Sequence, residues 1–397
     1  MGINGLLSVV SSSITKCHIS KFKGKRAAID GFVWLHRGCI SCARLIARNE
    51  FTMGYINYFM KRVMFLIENG ITPFIVFDGG DLPAKSGTNE KRKKDRAEHL
   101  RKAVEFEKRG LISEAEEHYK LAIEITSKIL VPLYSVLRQQ SIDFIVSPYE
   151  ADAQLSYLVL HSFCDFVITE DSDLIPYQCP QTVFKLDSAG NCELLVYSDL
   201  KQSEAFHGFS AQMIIECCVL SGCDYLPSLP RIGIKTAIKL VSKFRNGSAA
   251  ISFIRSKNQF EVPEEYIKDF EQAVRVFYEQ KVFDPKNYEM IPIFESGKCE
   301  IAGSLIPKSD SILIAKGMMD PRSRVKYSPD HSNENVIQPA QYNIQIKHSA
   351  KSQFKTLIPS TTHTSHTRTC LPPSQNTRVA FKFPSQRMGF NRDTVDK

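Results

Sequence analysis

The stretch VITEDSDLIPY, residues 167–177, places three acids, Glu170, Asp171 and Asp173, at the end of an apolar run. Val167, Ile168 and Thr169 are strand formers, so a buried β-segment carries the acids to its carboxyl end, where open α/β sheets keep their binding crevices. If the chain stays extended there, Asp171 and Asp173 project from one face. Two carboxylates on one face repel each other unless water, a basic group or a cation separates them. Other acids stand in comparable places: Asp30 closes RAAID, Asp78 closes PFIVFD, Glu150 and Asp152 open a helical pattern in SPYEADAQL, and Asp224 lies in SGCDYL. Gathered in one crevice, seven carboxylates (Asp30, Asp78, Glu150, Asp152, Asp171, Asp173, Asp224) repel prohibitively unless they bind hard divalent cations, which take oxygen ligands. Magnesium is the natural ion and manganese its substitute. Two such ions about 4 Å apart can activate a water and stabilise the leaving oxygen in phosphodiester hydrolysis, with no nucleophilic side chain required. A structural calcium cage is the non-catalytic alternative, but calcium loops usually draw their ligands from one contiguous segment.

Two basic segments suggest the partner. KSGTNEKRKKDR (85–96) sets Lys85 and Arg92 seven residues apart on one helix face, with Arg96 and three lysines beside them, which suits a polyanion. Taken alone it reads equally well as a solvated helix or a nuclear-import signal. In LPRIGIKTAIKL (229–240), Gly233 leaves backbone N–H groups open at a helix start, where a phosphate can approach, and Lys235 adds charge. An ordinary capped helix is the competing reading.

The elements that position these residues alternate between strand and helix up to about residue 245, the pattern of an α/β fold with a largely parallel central sheet and flanking helices. The clearest strands are 26–30, 73–78, 143–147 and 166–171, and helical periodicity covers 33–48, 55–69, 149–161, 231–244 and 263–280. The run from Pro83 to Gln139 reads as two or more helices broken near Gly110, and 284–330 is poorly patterned. Composition is that of a globular protein, at 43% hydrophobic and 24% charged residues. No apolar run of about eighteen residues could span a membrane, and a secretory pattern at the amino terminus is lacking, so an intracellular protein is expected. An odd count of eleven cysteines in apolar segments fits reduced thiols better than a disulfide framework. Of the net charge of +8, the Ser/Thr/Pro-rich residues 331–397 hold nine Lys/Arg against three acids, and they are expected to be disordered.

The blocks MGINGLL, AIDGFVWLH, FIVFDGGDLPAK, SPYEADAQLSYL, VITEDSDLIPY and LSGCDYLPSLPRIGIKTA, in this order and spacing, resemble the structure-specific 5′ nuclease superfamily of the flap endonuclease and Rad2/XPG type, and its exonuclease branch most of all. The resemblance covers roughly residues 1–290. It implies a PIN-like nuclease fold with a helical arch and a helix-two-turn-helix DNA-binding element. The regions it suggests are 1–105 (amino-terminal nuclease region and start of the arch), 106–142 (arch and connecting helices), 143–245 (internal nuclease region), 246–330 (helical extension) and 331–397 (tail). It implies that Asp30, Asp78, Glu150 and Asp152 serve one side of a two-magnesium site and Asp171, Asp173 and Asp224 the other, with Glu170 outside. Lys85 and Arg92 would contact the scissile phosphate from the arch, and Gly2 would pack near the site. Phe32 and His36 would handle unpaired nucleotides, while Arg231, Gly233 and Lys235 would hold duplex DNA at an element that often binds potassium.

The implied activity is 5′-to-3′ hydrolysis of double-stranded DNA and cleavage of 5′ flaps, by a nuclear monomer acting at 5′ ends, nicks, gaps or flaps in repair. A flap endonuclease of replication and an inert junction binder are the alternatives. Departures from the family pattern carry expectations as well. Phe32 replaces a common tyrosine. Gly87 weakens the arch helix by about 1 kcal/mol, so the arch would order on substrate. Arg231 stands where glycine is common and would be strained at positive φ. The short tail makes a mismatch-repair partnership doubtful.

Overall fold

The computed structural model describes residues 2–257, 261–294, 297 and 299–327; the tail expected to be disordered lies outside them. A seven-stranded sheet in the order β1-β7-β6-β5-β2-β3-β4 forms the centre. Its strands are β1 (Ile14–His18), β2 (Arg26–Asp30), β3 (Thr72–Phe77), β4 (Asp143–Val146), β5 (Phe166–Ile168), β6 (Gln181–Phe184) and β7 (Asn191–Val196). From β6 to β4 all neighbours are parallel, while β7 runs antiparallel to both β6 and β1. The inner strands are apolar on both faces because helices cover both, as parallel sheets require. A separate hairpin pairs β8 (Lys281–Asp284) with β9 (Glu289–Pro292).

The first half of the chain supplies helices α1 (Leu6–Val9), α2 (Gly31–Ile40), α3 (Ala43–Ala47), α4 (Gly54–Glu68), α5 (Ser86–Lys108), α6 (Ile112–Leu121) and α7 (Ser127–Gln139). Trp34, Phe59, Met60, Leu133 and Tyr134 pack on Ile29, Ile75 and Phe77 of one sheet face. The second half adds α8 (Ala151–Leu160), α9 (Tyr197–Leu200), α10 (Ala211–Leu220), α11 (Ile234–Phe244), α12 (Gly247–Ser256), α13 (Tyr266–Glu279) and α14 (Lys308–Ala315). Here Tyr157, Ile214, Cys218, Ala237, Phe270 and Phe277 form a second core with Phe184 and Leu195. Two apolar layers therefore sandwich the sheet and fix where its strands end.

Several elements depart from the sequence-based expectation. The helix expected over 33–48 divides at Ser41–Cys42, where the Ser41 hydroxyl and Cys42 thiol both donate to the Gly38 carbonyl and compete with the helical ladder. Strands β1, β6 and β7 were not anticipated, and the poorly patterned 284–330 contains β9 and α14. The strand expected over 166–171 ends at Ile168, so Asp171 and Asp173 leave the sheet in a 3-10 turn and are not alternate residues of one strand. α5 runs unbroken through Gly87 although it is polar all round, with Ala103 as its one buried residue among those described. Its first turns are fastened from outside: Thr88 donates to the Asp224 carbonyl at 3.0 Å, and Arg92 pairs with the Asp224 carboxylate at 3.1 Å. Beyond Gly110, which takes φ +76, α6 packs back along α5.

Arg231 adopts φ +64, in the left-handed region that disfavours a side chain. Its replacement should therefore relieve strain. Arg231→Gly is expected to raise stability by about 0.5–1 kcal/mol, the extra unfolded-state freedom of glycine offsetting part of the gain. Urea unfolding checks this: the midpoint should rise with the slope unchanged, and an unchanged or lower midpoint would contradict it.

Candidate active site

The parallel strands β2, β3 and β5 end on one edge, and their loops bring the acids together. Asp30, the last residue of β2, caps α2: one carboxylate oxygen accepts from the N–H groups of Phe32 at 3.1 Å and Val33 at 3.3 Å. Its other oxygen accepts from the Thr169 hydroxyl at 2.9 Å. Thr169 in turn accepts from the Asp171 N–H at 3.1 Å, tying the two loops together. Asp78, just beyond β3, accepts from the Ala151 N–H at 2.7 Å and so caps α8 across the loops. The approach is close enough that a Cβ on Gly79 would stand 1.9 Å from the Ser147 carbonyl oxygen.

Asp171 closes a local turn by accepting from the Asp173 N–H at 3.0 Å. With Asp152, on the first turn of α8, these two place carboxylate oxygens within 4.8 Å of one another. Asp173 is 3% exposed, and its Oδ1 has no hydrogen-bond partner. Gly2 lies against this turn at φ +78, where a Cβ would come within 2.3 Å of Asp171 Oδ1 and 2.4 Å of Ser172 Oγ. The Ile3 N–H donates to Ser172 Oγ at 2.8 Å, seating the segment there.

Lys85 ends the 3-10 turn before α5 and reaches into the cluster, 2.5 Å from Glu150 Oε1 and 3.0 Å from Asp224 Oδ2. Glu150 also accepts from the Tyr225 hydroxyl at 2.6 Å, and Tyr225 is linked through the Tyr177 hydroxyl to Gln280. The sequence reading missed Thr169, Tyr177, Tyr225 and Gln280. Thr169 and Tyr225 each adjoin an acid-bearing motif, whereas nothing local marks Gln280.

Electrostatics follow the geometry. Burial, then the charge of Asp78, pushes Asp30 up to about 7, against its hydrogen bonds. Burial likewise raises Asp78 to about 6. Asp152 and Asp173 are raised by burial first and by Asp171 second. Asp224 moves the other way: burial opposes its charge, but Lys85 and Arg92 outweigh burial and hold it below the ordinary value. Burial alone would lower Lys85, yet Glu150 and Asp224 keep its ammonium well above the usual range.

The donor set is all oxygen, crowded, and includes an unpartnered buried carboxylate oxygen, which fits hard divalent cations and suits neither zinc nor copper preferences. Of the remaining sequence candidates, Phe32 is half-buried edge-on to Phe77, and His36 is exposed one turn further along α2. Arg96 turns away to Glu124 at 3.3 Å, and Glu170 turns away to Arg37 at 3.3 Å. Arg231, Gly233 and Lys235 are exposed at the start of α11 rather than among the acids. Gly233 takes the N-cap position in extended backbone, with no side-chain cap on the helix start.

The two segments that carry these acids match known domains: residues 1–99 match the XPG N-terminal domain, and residues 141–224 match the XPG I-region. A DNA damage-inducible protein of Saccharomyces cerevisiae, DIN7, is 30% identical over 72% of this chain and 67% of its own length. The chain belongs to the XPG-type structure-specific 5′ nuclease family. Within the family it is similar to exonuclease 1 of Arabidopsis thaliana, 37% identical over 337 residues, which are 83% of this chain and 46% of that protein. The chain thus spans about half the length of the exonuclease 1 relatives it matches. Among solved structures, the catalytic core of Rad2 in complex with DNA substrate shares the fold, with a TM-score of 0.53 at 19% identity over 69% of this chain and 86% of that one.

Raised carboxyl values carry a stability consequence of definite sign. A carboxyl whose folded value exceeds its unfolded value takes stability away as pH rises through the folded value. With Asp30 at about 7 and Asp78 at about 6, against ordinary carboxyl values of about 4 in the unfolded chain, the protein in EDTA should melt at progressively lower temperature from roughly pH 4 to 7. Magnesium should flatten the decline, and Asp30→Asn should reduce it without metal, since an amide removes the titrating charge while its oxygen can still accept from the Phe32 and Val33 N–H groups. A melting temperature in EDTA that is independent of pH would contradict the electrostatic picture.

Proposed function

We propose that this chain is a magnesium-dependent DNA nuclease that hydrolyses phosphodiester bonds of duplex DNA from 5′ ends and cuts 5′ flaps. The observation that carries the reading is the convergence of seven carboxylates, one with an unpartnered buried oxygen, beneath the two arch cations Lys85 and Arg92. The names of the relatives, exonuclease 1 above all, support it. Two magnesium ions are proposed for the cluster, with manganese as a substitute and potassium at the start of α11. The proposed setting is the nucleus, with the protein acting as a monomer in DNA repair.

Bound divalent ions would supply an activated water and charge neutralisation at the leaving oxygen. Asp152, Asp171 and Asp173 offer the tightest set of oxygens, while Asp30 and Asp78 are aimed by the helix ends that they cap. Lys85 and Arg92 exchange Glu150 and Asp224 for the scissile phosphate, where their charge counts most in the transition state. Phe32 and His36 face unpaired nucleotides, and the open N–H groups at Gly233 together with Lys235 hold the duplex backbone.

Duplex, nicked, gapped and flapped DNAs labelled at either end, incubated with magnesium or EDTA, test the reading. Cleavage should need the metal and proceed from the 5′ end, and failure to cut any of the four with magnesium would leave only a DNA-binding role. In the same assay Asp171→Ala and Asp173→Ala should abolish cleavage while DNA affinity stays level or rises, because repulsion of the phosphates is removed. Lys85→Ala and Arg92→Ala should slow single turnovers at saturating DNA by about 10²-fold or more, with a smaller loss of affinity. Equal rates at saturation would reduce both residues to solvated charges.

A further inference from the structure

At the β1 edge of the sheet, Cys17 of β1 and Cys192 of β7 are direct partners in the antiparallel register, and their sulfurs lie 3.6 Å apart. Directly opposed residues in such a pair have Cα atoms about 4.5–5.5 Å apart, inside the range that a disulfide spans. A rotation of the two side chains would close the remaining gap, with no movement of either strand. The other described cysteines are also free, but none of them has so close a thiol–thiol approach among the described contacts. Cys17 is half-buried and Cys192 is 4% exposed against the core. An oxidant can therefore reach the first sulfur while the second is held ready beside it.

We propose that Cys17 and Cys192 form an oxidation-dependent cross-strand disulfide, with a peroxide as the oxidant. The peroxide converts the Cys17 thiol to a sulfenic acid and releases water. The Cys192 sulfur then displaces the sulfenic oxygen, which leaves as a second water; two S–H bonds are broken, one S–S bond forms, and the two electrons reduce the peroxide. Cys17, the more exposed of the two, is the first target, and Cys192, buried beside it, is the resolving partner. The bond would join positions 175 residues apart. It would also fasten β1, the strand that follows the segment seated on the acid-bearing turn, to the rest of the sheet.

The test treats the full-length folded chain with hydrogen peroxide, blocks free thiols with an alkylating agent in denaturant, and maps peptides by mass spectrometry without reductant. The expected result is a linked peptide pair containing Cys17 and Cys192, formed in the folded protein and absent when peroxide is added in urea. The melting temperature should rise by several degrees on oxidation and return on reduction. In Cys17→Ser and, independently, Cys192→Ala, the linked pair and the reversible shift should both be lost. Recovery of both cysteines as alkylated thiols, or of Cys17 as sulfinic acid with Cys192 alkylated, would overturn the proposal. So would equal linkage in the unfolded chain.

Discussion

Mutual repulsion among carboxylates at one sheet edge is the constraint to which the surrounding structure answers. Asp30 and Asp78 are held by helix N-termini, whose N–H groups and dipoles favour negative charge. Thr169 bridges Asp30 to the turn that carries Asp171, and Lys85 sits between Glu150 and Asp224. None of these contacts neutralises Asp173, whose inner oxygen remains unpartnered. Such an arrangement costs stability and persists where it serves a function.

Topology makes the crowding unavoidable. Three parallel strands that end level deliver their loops to a common edge, and the two apolar layers on either side leave the edge as the place where charge can reach water. The loops themselves are packed tightly, because Gly79 lies against the Ser147 carbonyl and admits no side chain. A helix capped by its own neighbour's residue could shift alone. α8 is capped instead by Asp78 from another strand, so the position of Asp152 on its first turn depends on the register of β3 with β4.

Much of this was legible in the sequence because acids at strand ends and helix starts are local signals. Asp30, Asp78, Asp152, Asp171 and Asp173 could be grouped once the strands before them were recognised. Glu150 was grouped with Asp152 from the same helix start and Asp224 from its place in SGCDYL, and both pair with Lys85. What escaped was set by tertiary contact. Gln280 reaches the site through Tyr177 and Tyr225, across about a hundred residues of chain, and no periodicity announces it. β6 and β7 were missed although the turn DSAGN between them carries hairpin residues, because the strands are short and their alternation is incomplete. The extended geometry assumed for Asp171 and Asp173 failed because an aspartate can bond its own backbone two residues on, and this ends the strand.

The arch helix shows how far the acids determine structure beyond themselves. α5 buries one alanine among its described residues, so hydrophobic packing cannot hold most of its length. Pairs such as Glu98 with Arg101 and Lys102 are exposed and contribute little each. Its fixed points are α6 at the far end and, at the near end, Asp224 with Thr88 and Arg92. The same carboxylate therefore anchors the arch and restrains its two cations. A polyanion competing for Lys85 and Arg92 must loosen that anchor as it binds, which makes the order of the first turns of α5 depend on what occupies the acids below.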